Sequence, residues 1–442
     1  MSLIAVTFVV LFSLIAIIYL TSKLKLNAFV SLFLVSLFLA VTVLPNTDIL
    51  KTLKDGFGTT MASIGFLIIF GAIVAIVMDK SGGALSIANY IYSKTGKDKA
   101  PAAMGLTGFI AGLPIFCDSG YIILSGLAKS FSAKTKISMP FIAAVMGCSL
   151  FAVHCLVPTH PGALAASESM KVNMGYFILA GILFAIPGAL VAYFWIKFMT
   201  QGKGYKPYHA DENEEVSVGK LPSVTLSLLP IVMPLILIAV SSLLKIFEFK
   251  DQNLILKIVH TLGQPVWALL IGVICSLFLL KNKKINELNE VFESAIEKAG
   301  PILIITAAGG MFGLLIKETG IGTEAGKILG DKGLGLLIPF IIAAFLKTAQ
   351  GSSTVAIITA ASFVEPMLVS LGLSSELGRL FATLAMGTGS MVVSHANDSY
   401  FWVVTKFSEI DTDVSLKVYT SATLVMGITV FICIWLVSLC VI

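Results

Sequence analysis

Met146-Gly147-Cys148-Ser149-Leu150-Phe151-Ala152-Val153-His154-Cys155-Leu156-Val157-Pro158-Thr159-His160-Pro161-Gly162 starts as a hydrophobic helix and ends in a histidine- and proline-rich knot. Met386-Gly387-Thr388-Gly389 repeats the pattern, running through apolar residues to His395 and then Ala396-Asn397-Asp398-Ser399. An unpaired backbone group in hydrocarbon costs several kcal/mol, so such breaks survive only when buried in protein or lining a cavity. A pair of breaks in corresponding positions is expected of a secondary transporter built from inverted repeats.

The 442 residues are 57% hydrophobic and 12% charged. Soluble domains carry about 25% charged residues, so an all-α polytopic membrane protein is expected. Runs such as 4–20, 29–44 and 64–78 have about the length that crosses a hydrocarbon core of roughly 30 Å. The first run has no basic segment before it, and Lys23 and Lys25 follow it. It therefore reads as a retained helix with its N-terminus outside. Cys117, Cys148, Cys155, Cys275, Cys433 and Cys440 stand singly, without a CxxC pair, which argues against a disulfide framework or a metal site. No basic cluster alternates with exposed aromatics, so no nucleic-acid partner is expected.

The two breaks belong to a longer correspondence. Gly56-Phe57 matches Val291-Phe292, Asp79-Lys80-Ser81-Gly82 matches Lys317-Glu318-Thr319-Gly320, and His154 matches His395, with offsets from 235 to 241. The expected division is a first inverted repeat over 1–199, a cytoplasmic linker over 200–222 and a second inverted repeat over 223–442. Lysine-rich segments around Lys23, Lys80–Lys99, Lys129–Lys136 and Lys281–Lys284 would be cytoplasmic by the positive-inside rule. Residues 101–127 lie between two of these, so they should enter and leave on one side as a hairpin with Gly112–Gly120 at its tip. The partner hairpin is 335–364. Each half then holds five crossings plus one re-entrant hairpin, and an odd number of crossings inverts the second half.

Chemistry is expected at the tips and the breaks. Asp118, beside Ser119, would place a proton-exchanging carboxylate near the bilayer midplane. Gln350-Gly351-Ser352-Ser353-Thr354 offers an amide, hydroxyls and the free N–H groups of a helix start, which suit a carboxylate ligand. Lys347 could add charge to that face, or could snorkel to a surface. His154 could relay a proton or donate to a substrate oxygen; His160 lies on the distorted segment that follows. His395, Asn397, Asp398 and Ser399 form a polar knot between apolar neighbours, expected to bind the substrate, with His395, Asn397 and Asp398 on its hydroxyls and Asp398 a second candidate for the coupling proton. No cofactor is expected beyond that proton, with sodium as the alternative ion.

These segments resemble the gluconate permease family of bacterial symporters. Gly112–Gly120, His154–Gly162, Ala349–Ala356 and Ser394–Trp402 match its landmark motifs, in the family's order. The resemblance implies proton-coupled uptake of a small sugar acid or hydroxy acid across the bacterial inner membrane. Through the wider ion transporter superfamily it implies a homodimer with an elevator-like movement. Thr159 stands where many members carry a second proline, and Asp118 where they tend to carry glutamate. Glycerate or D-serine are therefore alternatives to gluconate. A sodium/proton antiporter of the same superfamily is the alternative function.

Overall fold

The computed structural model describes residues 3–44, 48–95, 99–208, 221–246, 254–280, 284–320 and 335–441. Most of the predicted linker (209–220), as well as Lys97, Lys281 and Lys283, lies outside the described residues. Every regular element among the described residues is helical. Six helices there are long and apolar enough to cross a membrane, with a seventh if Leu256–Leu262 and Pro265–Leu277, bent by 74°, form one span. Other apolar helices, such as Ala28–Val43 and Leu337–Gln350, are shorter. Phe66, Leu183, Phe194, Phe345 and Trp435 are exposed, giving the apolar outer surface that lipid contact requires.

Two long helices, α3 (Ile49–Lys80) and α13 (Ile285–Glu318), pack along one another. Between them in sequence lie α4 (Gly83–Thr95), α5 (Ala100–Gly112), α6 (Cys117–Thr135), α7 (Met139–Leu156), α8 (Pro161–Ser169), α9 (Met174–Thr200), α10 (Val224–Ile246), α11 (Leu254–Leu262) and α12 (Pro265–Leu277). Helices α1 (Leu3–Ile18) and α2 (Ala28–Val43) pack on each other, and α2 also packs on α13. After α13 come α14 (Leu337–Gln350), α15 (Ser353–Val364), α16 (Glu376–Met391), α17 (Ser399–Phe407) and α18 (Thr412–Val441).

Helices α7 and α8 occupy the centre. The apolar window of Met139–Ser169 is 94% buried, against 33% for Val224–Ser241. Their break follows from the prolines. Val157 (φ −103°, ψ 124°) and His160 (φ −103°, ψ 144°) are extended, as residues before proline prefer. Pro158 ends α7 and Pro161 opens α8, where its missing N–H costs nothing.

The second break differs. Val392 is extended and Val393 has a φ of 53°, an outlier for a β-branched residue. Helix α18 satisfies the freed backbone: Thr423 Oγ1 accepts from Ser394 N at 3.1 Å, and Thr420 Oγ1 donates to the Ser394 carbonyl at 2.5 Å. Those threonines flank the end of a π-helical turn, Leu416–Thr420, a distortion that recurs where function needs an altered helix.

Candidate functional site

Two short connections face the two breaks. The first, residues 113–116, joins α5 to α6. Thr159 Oγ1 donates to the Leu113 carbonyl at 2.6 Å, and His160 Nε2 lies 3.2 Å from the Ile115 carbonyl, to which a ring N–H donates. The buried His160 therefore ties the first tip to the first break.

The second connection, Gly351-Ser352, joins α14 to α15. Gly351 has a φ of 86° and lies against the Asn397 carbonyl, where a Cβ would collide. Lys347 is fully buried; its Nζ donates to the Gly351 carbonyl and lies 2.5 Å from Asp398 Oδ2. Ser394 Oγ donates to the same carboxylate oxygen, and Asp398 Oδ1 accepts from Tyr400 N at 3.0 Å. Asn397 Nδ2 donates to the Thr348 carbonyl at 2.8 Å, and His395 Nε2 lies 3.2 Å from the same carbonyl. The second tip is thus bound to the second break through a buried ion pair.

A cavity of about 320 Å³ lies between these constructions. Its walls include Asp118 and Ser119 from α6, His154 from α7, Ser352, Ser353 and Thr354 at the start of α15, and Asp398 and Ser399 before α17. Eight of the predicted site residues therefore share one chamber. Gln350, His395, Asn397, Lys347 and His160 are not in its lining. Residues 395–397 instead cover the end of α14, and both amide atoms of Gln350 are buried without a hydrogen-bond partner. Lys298 on α13 and Tyr400 on α17, neither of which stood out in the sequence, also line the cavity.

The polar geometry is uneven. Asp118 Oδ1 and His154 Nδ1 are buried without hydrogen-bond partners, whereas His154 Nε2 lies 3.5 Å from Thr354 Oγ1. Ser352 caps α15, its side chain accepting from Val355 N at 3.3 Å. Close packing holds α8 against that helix start, because a Cβ on Gly162 would sit 2.9 Å from Thr354 Cα. A helix N-terminus, hydroxyls and a carboxylate with one unpartnered oxygen lining one space can bind an acid and exchange a proton.

The family model for GntP family permeases matches residues 4–440. The chain belongs to the GntP permease family. A relative in Escherichia coli K12, the inner membrane permease YgbN, is 31% identical, with 99% of each chain covered. The gluconate permease of Pseudomonas aeruginosa is 29% identical, covering 97% of this chain and 96% of its own. Among solved structures, the Alcanivorax borkumensis YdaH transporter matches with a TM-score of 0.65 at 17% identity, over 92% of this chain and 97% of that one. This GntP permease is thus a multi-pass inner-membrane transporter, not an enzyme.

Proposed function

We propose that this permease imports a small sugar acid or hydroxy acid together with a proton, by alternating access. Gluconate is the first candidate, since a relative carries that name, with glycerate and D-serine as alternatives. The observation that carries the reading is the cavity lined both by Asp118, one of whose carboxylate oxygens has no hydrogen-bond partner, and by the polar start of α15. In this reading Ser352, Ser353 and Thr354 receive the substrate carboxylate. His154, Ser119 and Ser399 hold its hydroxyls, and Asp118 carries the proton. Asp398 is the weaker candidate for that role because Lys347 already neutralises it.

The access mechanism rests on the correspondence between halves. Helices α5/α6 and α14/α15 act as re-entrant hairpins, α7/α8 and α16/α17 as broken helices, and 1–199 and 223–442 as inverted repeats with five crossings each. Shorter apolar helices such as α2 take part in that count. Two different constructions meeting across one cavity support a movement of the hairpins around a fixed substrate, in a homodimer. The relatives do not favour the sodium/proton antiporter.

The test is uptake of labelled gluconate into proteoliposomes under an inward proton gradient, with glycerate, D-serine and sugar acids as competitors. Gradient-dependent uptake is expected, with the strongest competitor naming the substrate. Absence of accumulation under any proton gradient would refute the reading.

A further inference from the structure

Asp118 and Asp398 line the cavity, and Asp79 lies within electrostatic reach of the cavity's Lys298. Asp398 is paired with Lys347, both buried. Asp79, at the end of α3, lies within electrostatic reach of Lys298 first and of its neighbour Lys80 second. Asp118 makes no ion pair among the described residues; Lys347 and Lys298 both lie within its electrostatic reach, and Lys298 is the one that shares its chamber. Lys298 is exposed, and among the described residues its hydrogen-bond partner is the neutral Ser119 hydroxyl, at 3.1 Å. Asp79 also lies within its reach. The other titratable side chains around Asp118 are His154, Cys117 and Tyr400.

The charge count restricts what can enter. With Asp118 ionised, the three carboxylates and their lysines balance, and an arriving acid would bring an uncompensated anion into a low-dielectric space. Lys347 cannot answer it without abandoning Asp398. Lys298, whose hydrogen bond is to a hydroxyl rather than a carboxylate, can.

We propose that Lys298 balances two carboxylates in turn: from its place on Ser119 it offsets the charge of Asp118 while the cavity is empty, and it pairs with the transported acid once Asp118 has taken up a proton. This rests on the transport reading above and supplies its coupling step. Proton uptake on the Asp118 carboxylate forms an O–H bond and frees Lys298, which then pairs with the substrate carboxylate beside the α15 N-terminus. Empty and loaded cavities are both neutral, so either can close. A substrate without a carboxylate leaves the charge of Lys298 to balance Asp118 and needs no proton.

Calorimetric titration of the purified full-length permease tests this, using gluconate, glycerate and uncharged gluconamide in buffers of different ionisation enthalpy. The wild type is expected to take up about one proton per acid bound and none with the amide. Lys298→Gln should weaken acid binding about ten- to hundredfold, the range for a hydrogen bond to a charged group, and leave the amide within about twofold. Lys298→Arg should keep the preference for acids. Acid binding unchanged in Lys298→Gln, or acid and amide weakened alike, would overturn the role of Lys298. Loss of the acid preference in Lys298→Arg would overturn it as well. If the wild type binds no acid, the transport reading fails first and this inference falls with it.

Discussion

The two hairpin connections are fastened by different chemistry. The first is held by neutral groups, with Thr159 and His160 bonded to the Leu113 and Ile115 carbonyls. The second is held by Lys347, which reaches both the Gly351 carbonyl and the Asp398 carboxylate. The consequence lies in the carboxylates. In the second half Asp398 is committed to the lysine of its own hairpin and to capping α17. In the first half His160 does the fastening, and Asp118 keeps an unpartnered oxygen in the cavity. Asp398 thus has a charge fixed in an ion pair, whereas Asp118 makes none among the described residues, and on the proposed reading that difference gives two similar sequence patterns different tasks.

Removing one member of the ion pair should produce the largest loss of stability. Lys347→Met leaves Asp398 buried without its cation and is expected to cost about 3–5 kcal/mol, read as thermal unfolding of the purified protein in detergent. The double substitution Lys347→Met/Asp398→Asn should recover a good part of it. A single substitution as mild as the double one would abolish the distinction between the two fastenings. His160→Ala should be milder, about 1–3 kcal/mol, since it orphans neutral carbonyls. Equal losses in the two halves would contradict the comparison. Ser352→Ala removes the α15 cap and should cost about 1 kcal/mol. Its larger effect is expected on substrate affinity, measured by competition, and an unchanged affinity would remove Ser352 from the substrate carboxylate.

The sequence exposed the breaks and tips because glycine, proline and polar residues are costly within apolar runs. Pro158 and Pro161 fix where α7 ends and α8 begins, and Gly351 marks the only kind of residue that accepts its φ without strain. Partnerships were harder to see. Lys347 and Asp398 are 51 positions apart, and no periodicity links them. His395 belongs to the polar knot that the sequence exposed, and its contact with the end of α14 was not legible there, because 395–397 fold over that helix only in three dimensions. Lys298 was hidden for another reason. It ends a run with Glu287, Glu290, Glu293 and Glu297, which reads as an ordinary solvated helix start; only the packing of α13 beside the first tip turns it toward Ser119.

The most direct measurement of the central claim is uptake by Asp118→Asn in proteoliposomes, scored both as accumulation under an inward proton gradient and as counterflow exchange of labelled acid. Loss of gradient-driven accumulation with exchange retained is the expected result, because an amide can occupy the cavity but cannot carry the proton. Accumulation at the wild-type level would contradict the account and remove Asp118 from the coupling step.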